Sequence, residues 1–294
     1  MALGTPYDCG EGAGLPPPLE TAMSASRDFI EFAVHLADLA GEQILPRFRV
    51  AIGLENKSKE GGYDPVTVAD REAEAAIRRE IRRVYPDHGI LGEEHGFDAG
   101  TSPYTWVIDP IDGTRSFVLG QLHWGTLIAL NDGTAPIIGI MRQPYTGETF
   151  VGSEAGAELR HGSATTRLTV RAGSRLADVT VCATDPTMFA GPAHQQAFAR
   201  LAPRARAVRF GGDCYTPCLV AAGCADLVVE AGLKPWDVQA LIPIVQGAGG
   251  VITDWTGGPA DRAGEMIIAG NRELHAEVVA ALAWVVPGEK SGGN

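Results

Sequence analysis

The segment WVIDPIDGTRSF, Trp106 to Phe117, sets the firmest limit on the fold, because an apolar strand runs straight into two carboxylates three residues apart. Asp109 and Asp112 at a strand end can converge on one hard cation, which prefers oxygen ligands. Pro110 restricts φ and lacks an N–H, so it favours a sharp turn in which the Ile111 carbonyl can face a metal instead of joining a ladder. Gly113 permits a backbone conformation, or a close approach, that a side chain would forbid. Thr114 and Ser116 could open a helix whose free N–H groups and positive end bind a phosphate. The ordinary alternative is a strand followed by an Asp-capped turn.

Other acids share that setting. Glu93-Glu94 follows a β-prone run, Asp70 lies at the entry to an amphipathic helix, and Asp237 follows Trp236 at a helix start. Each has an everyday explanation, a solvated surface pair for the first and helix caps for the others. Four acidic sites, each beside a strand end or a helix start, favour a shared Mg²⁺ cluster over four coincidences.

Around these positions the hydrophobic period changes along the chain. Phe29, Ala33, Leu36, Ala37, Ala40 and Ile44 recur at helical spacing from a capping Ser26 to a stop at Pro46, and a second helix is predicted from Ala69 to Val84. Short β-prone runs at 90–91, 104–108, 126–130, 137–141 and 149–151 predict neighbouring strands. The Gly/Ser/Thr-rich stretch from Gly152 to Thr166 suits a domain boundary. Beyond it, strands at 179–183, 227–230 and 250–253 alternate with helices at 192–201, 236–248 and 271–284, which predicts an α/β unit. The expected plan is a flexible tail over 1–23, an α+β domain over 24–160 with most metal ligands, an α/β domain over 161–287, and a tail over 288–294.

With 24 Lys+Arg against 36 Asp+Glu, the net charge of −12 disfavours a nucleic-acid partner, since neutralising phosphates needs clustered cations. No stretch reaches the roughly 18 apolar residues that cross a bilayer, and Asp8 and Glu11 stand where a signal peptide would carry Lys or Arg. A cytoplasmic protein is expected, with no membrane partner. Cys214, Cys218 and Cys224 lack a CxxC pair and a nearby His, so they read as core thiols and not as soft-metal ligands.

Glu93-Glu94, Asp109-Pro-Ile-Asp112-Gly-Thr114 and Trp236-Asp237 together resemble the signature motifs of the inositol monophosphatase family of Mg²⁺-dependent, lithium-sensitive phosphatases, over about residues 26 to 285. The resemblance implies an α/β (α+β) fold, a five-layered αβαβα sandwich of the inositol monophosphatase and fructose-1,6-bisphosphatase type, and a homodimer. It implies two or three Mg²⁺ ions. One would be bound by Glu93, Asp109 and the Ile111 carbonyl, a second by Asp109, Asp112 and Asp237, and a weaker third near Glu93. Thr114 and Glu93, with Asp70 behind them, would position and deprotonate the attacking water, and Asp112, Gly113 and Thr114 would contact the substrate.

Within the family, the segments GGYDPVT (61–67), DPIDGTRSFVLG (109–120), WGTLIAL (124–130), RFGGDCY (209–215) and LVVEAGLKPWD (227–237) look most like the histidinol-phosphate phosphatase branch. That substrate carries an ammonium and an imidazole, so its pocket should hold carboxylates beyond the metal ligands. Glu230 and Asp213 are the expected contacts, while Arg209 is a candidate for holding phosphate or shaping the pocket mouth. Lys234 reads as solvated, Arg115 has no catalytic role, and His95 and His123 each read as a structural or surface residue. The nearest rival keeps the mechanism and takes myo-inositol monophosphate or another sugar phosphate. A regulatory protein that has kept only the fold would predict a broken metal site or a basic face, and neither occurs.

Overall fold

Residues 19–50, 54–56, 65–262 and 264–283 are described by a computed structural model. Helix α1 (Leu19–Ile44) carries the expected apolar face, on which Ala33, Leu36, Ala37, Ala40 and Ile44 are fully buried. Pro46 lies in the 3-10 turn Leu45–Arg47 that follows its last residue. The helix begins at Leu19 and not at Ser26, taking in part of the expected tail, because nothing between Pro18 and Ser26 breaks a helix. The rest of that tail, the segment from 288 onward, and Gly61 to Asp64 of the GGYDPVT motif lie outside the described residues.

A short hairpin of β1 (Leu54–Asn56) and β2 (Pro65–Thr67) leads into α2 (Val68–Val84), where Thr67 and Asp70 form a capping box. The first sheet is then built from β3 (Gly89–Gly92), β4 (Gly96–Asp98), β5 (Thr105–Asp112), β6 (Gly125–Asn131), β7 (Pro136–Gln143), β8 (Glu148–Ser153), β9 (Gly156–His161) and β10 (Ala164–Arg167). Its order is β10-β9-β8-β7-β6-β5-β3-β4, and the one-turn helix α3 (Thr114–Val118) follows β5. The segment expected to separate two domains is therefore the β9–β10 hairpin at the edge of this sheet. A boundary at residue 160 would cut a strand pair in which His161 faces Ala164, so the change of sheet comes after Arg167.

The second sheet, β12-β11-β13-β15-β14, contains β11 (Thr180–Ala183), β12 (Ala207–Phe210), β13 (Leu227–Leu233), β14 (Val251–Thr253) and β15 (Gly264–Ala269). The helices of this half are α4 (Pro192–Leu201), α5 (Tyr215–Ala221), α6 (Pro235–Val238), α7 (Leu241–Gly247) and α8 (Arg272–Leu282). The single helix expected over 236–248 is thus two. Pro243 has no N–H to donate to the Gln239 carbonyl, and the chain breaks there.

Strand alternation explains the layering. In the first sheet Ile128, Leu130, Ile138 and Ile140 face α1 and α2, while Leu127, Ala129 and Met141 face α7 and the other half. In the second, Val228 and Ile268 join that same central core, while Leu227, Val229, Ile267 and Ala269 pack with Leu274 and Val278 of α8. The result is the expected αβαβα sandwich, with α5 and α7 shared between the sheets. The central core is continuous across both halves. Among the described residues no helix is long and apolar enough to cross a membrane.

Candidate active site

Parallel pairing of β3 with β5, and of β11 with β13, brings the carboxyl ends of each pair to one edge of its sheet. Residues at those four ends, together with the starts of α5 and α6, line one cavity of about 250 Å³.

β5 reaches that cavity through an irregular turn. Its ladder with β6 holds to Asp109 opposite Leu127 and resumes at Asp112 opposite Gly125, so Pro110-Ile111 carries one residue too many for the register. The bulge is tied down from inside: Thr126 Oγ1 donates to the Pro110 carbonyl at 2.8 Å, and the Ile111 N–H donates to Asp109 Oδ1 at 3.0 Å. The Ile111 carbonyl leaves the ladder as expected and accepts Thr114 Oγ1 at 3.0 Å.

Asp237 arrives from the first turn of α6, where its Oδ2 accepts the Lys234 N–H at 2.7 Å. One carboxylate oxygen from each of Asp109, Asp112 and Asp237 lies within 4.8 Å of the other two. Burial above all, then mutual repulsion, pushes Asp109 and Asp112 well above the usual carboxylate range. Asp237 is pushed up to about 7 by burial, against the Lys234 N–H that favours its charge. Like charges so close and so desolvated need a proton or a cation between them, and an all-oxygen donor set fits Mg²⁺ or a similar hard ion. Glu93 lines the same cavity outside that closest group, and its charge raises both Asp109 and Asp237.

Asp70 is buried beside Asp109 and does not line the cavity. Its Oδ2 accepts the Thr67 N–H at 2.8 Å and Thr67 Oγ1 at 2.5 Å, while its buried Oδ1 has no hydrogen-bond partner among the described residues. Burial raises its pKa to about 6, with the Thr67 hydrogen bonds opposing.

Thr114 and Gly113 also line the cavity, as do Asp213 and Glu230 across it. Asp213 adopts a left-handed φ of 38°, uncommon for a residue with a side chain but tolerated by Asp, and its Oδ2 accepts Ser116 Oγ at 2.6 Å. Glu230 Oε1 accepts the N–H of Thr184 at 3.1 Å and its Oγ1 at 2.6 Å. Burial lifts Glu230 to about 7.

Arg209, like Asp70, stays off the cavity wall, and unlike Asp70 it is not buried beside the acidic group. It is exposed on the edge strand β12, opposite Cys182. Gly211 and Gly212, with φ of 97° and 127°, turn the chain so that Asp213 enters the cavity and Arg209 stays outside. Asp185 is the residue that sequence reasoning missed. It lines the cavity, and its Oδ1 accepts Thr187 N and Oγ1, both at 2.7 Å. An acid just past a β-prone run, the signal that drew attention to Glu93, is present there too.

The inositol monophosphatase family model matches residues 25–286. The chain is 36% identical over 260 residues to the protein named bifunctional phosphatase IMPL2, chloroplastic, of Arabidopsis thaliana, covering 85% of this chain and 73% of that protein. It is 34% identical over 254 residues to a histidinol-phosphatase of Chlorobaculum parvum, covering 86% of this chain and 96% of the relative. A solved inositol monophosphatase from Zymomonas mobilis superposes with a TM-score of 0.78 at 36% identity, covering 88% and 98% of the two chains.

Proposed function

The chain belongs to the inositol monophosphatase family and is a phosphatase; from that premise we propose that it hydrolyses L-histidinol phosphate to L-histidinol and phosphate with Mg²⁺. The observation that carries this reading is the acidity of the cavity beyond the Asp109, Asp112 and Asp237 group. Asp185, Asp213 and Glu230 line it as well, against Arg115 as the only lining cation among the described residues. A phosphate ester with an ammonium and a titratable imidazole gives those carboxylates cationic partners beyond Arg115, whereas a neutral polyol phosphate brings none. The histidinol-phosphatase from Chlorobaculum parvum, 34% identical, supports the same substrate.

Asp109, Asp112 and Asp237, with Glu93 and the Ile111 carbonyl, would hold the cations. When bound, Mg²⁺ supplies Lewis-acid activation of water and neutralises charge on the phosphoryl and leaving oxygens. Thr114 Oγ1 and Glu93 position the water, with Asp70 as the buried acceptor behind them. Gly113 and Thr114 offer their backbone N–H groups to the phosphoryl oxygens, while Glu230 and Asp213 hold the cationic end. The reading extends to a place in histidine biosynthesis.

The rival substrate, inositol-1-phosphate, is favoured by the name of the Zymomonas mobilis structure. Phosphate release from both esters, measured side by side with Mg²⁺ and with chelator, separates the two. A chelator-sensitive preference for histidinol phosphate is expected, and a preference for inositol-1-phosphate would discard the assignment of Asp213 and Glu230.

A further inference from the structure

Glu74, one helical turn along α2 from Asp70, has no exposed surface and is not part of the cavity wall. Its carboxylate is spent on the turn between β3 and β4. Oε2 accepts the N–H of Glu94 at 2.7 Å, while Oε1 accepts the N–H of His95 at 3.2 Å and Nε of Arg78 at 2.7 Å. Arg78 grips the far side of the same hairpin, donating from Nη1 to Asp98 at 2.9 Å and from Nη2 to the Gly96 carbonyl.

The turn so held is short. Gly92 pairs with Gly96, which leaves Glu93, Glu94 and His95 as the loop, and Glu93 is the residue that lines the cavity. The close approach of the carboxylate depends on Gly92, where a Cβ would stand 2.1 Å from Glu74 Oε1. A buried ion pair is a poor device for stability alone, since desolvation offsets much of its attraction. Here the acceptors of Glu74 are aimed at the backbone of the loop that carries a candidate metal ligand.

We infer that Glu74 is a positioning residue: held by Arg78, it fixes the β3–β4 turn so that Glu93 meets the cation of the active site. This rests on the metal reading of that site and is independent of which ester is hydrolysed. Outer partners that orient a ligand typically change metal affinity by about 10- to 100-fold when removed.

The test is Mn²⁺ binding to the full chain, read by EPR as loss of the free-ion signal, for wild type, Glu74→Gln and Gly92→Ala, with a thermal melt on each. Mn²⁺ affinity is expected to fall about 10- to 100-fold in both variants. Turnover should recover as Mg²⁺ is raised, and KM for the ester at saturating Mg²⁺ should stay near the wild-type value. If Glu74→Gln does not fold, Gly92→Ala carries the test, because it leaves both charged side chains in the sequence while its Cβ drives the Glu74 carboxylate and the turn apart. Wild-type Mn²⁺ affinity in a folded variant would overturn the role of Glu74 alone, whereas no Mn²⁺ binding by the wild type would overturn the metal reading as well.

Discussion

Gly113 and Asp213 meet so closely that a Cβ on Gly113 would stand 2.9 Å from both Cβ and Cγ of Asp213. Both residues hold positive φ, 81° and 38°. The turn that ends β5 and the entry to α5 are therefore fitted to one another, not merely adjacent. Gly113→Ala should cost about 1–3 kcal/mol in denaturant unfolding. By moving Asp213 and the turn it should also lower kcat/KM by about 100-fold. Wild-type turnover in this variant would show that the contact has no part in the site.

Asp109→Asn should lose nearly all turnover at saturating Mg²⁺ while the fold survives, because Asp109 sits between Glu93, Asp112 and Asp237. Removing one charge from this repelling, buried group should also raise the melting temperature of the metal-free protein. Phosphate release and melting curves with and without Mg²⁺ measure both effects. An active variant would mean that the proposed metal site is wrong.

Asp213→Asn keeps a residue that tolerates left-handed backbone while removing the charge, and Asp185→Asn removes the charge of the other acid on the wall, whose backbone is extended. Each should reduce kcat/KM for histidinol phosphate at least about tenfold more than for inositol-1-phosphate, the worth of one charge-assisted hydrogen bond. Equal losses on the two esters would remove the recognition role.

Glu230 supplies a pH signature. Its folded-state pKa is raised by burial from 4.5 to about 7. A carboxyl raised in this way contributes stability that is fully present below its unfolded value and is lost as pH rises through its folded one. The ligand-free protein should therefore lose up to about 3 kcal/mol relative to Glu230→Gln between about pH 5 and pH 8. Histidinol phosphate should restore that loss through its cationic end. Parallel stability curves for the two proteins across this range would refute the assignment.

Arg209→Ala should leave kcat/KM for histidinol phosphate within about twofold, as expected for an exposed residue away from the cavity. A large loss would return it to the substrate.

Local chemistry made much of the site legible. Asp109, Asp112, Asp237 and Glu93 were readable because each interrupts an apolar run at an element end, and Pro110 and Gly113 announced the irregular turn. Asp185 carries the same signal, but an acid before a proline is also the usual start of a turn, and no second acid follows it as Asp112 follows Asp109. Arg209 misled because charge pattern alone cannot say on which side of Gly211-Gly212 the chain turns inward. The β9–β10 hairpin and the edge strand β12 were hidden for a related reason. Edge strands have exposed residues where a core strand would show apolar alternation, and the four residues of β10 are all exposed.

The acidic groups of the cavity are contributed from both sides of the shared α5–α7 layer, with Glu93, Asp109 and Asp112 on one sheet and Asp185, Glu230 and Asp237 beside the other. Neither half holds the acidic group by itself. On the proposed metal reading, catalysis becomes a gauge of how the two slabs sit against each other: a slip too small to expose the apolar interior would already part the acids. Activity should then vanish earlier along a denaturant ramp than helical dichroism does.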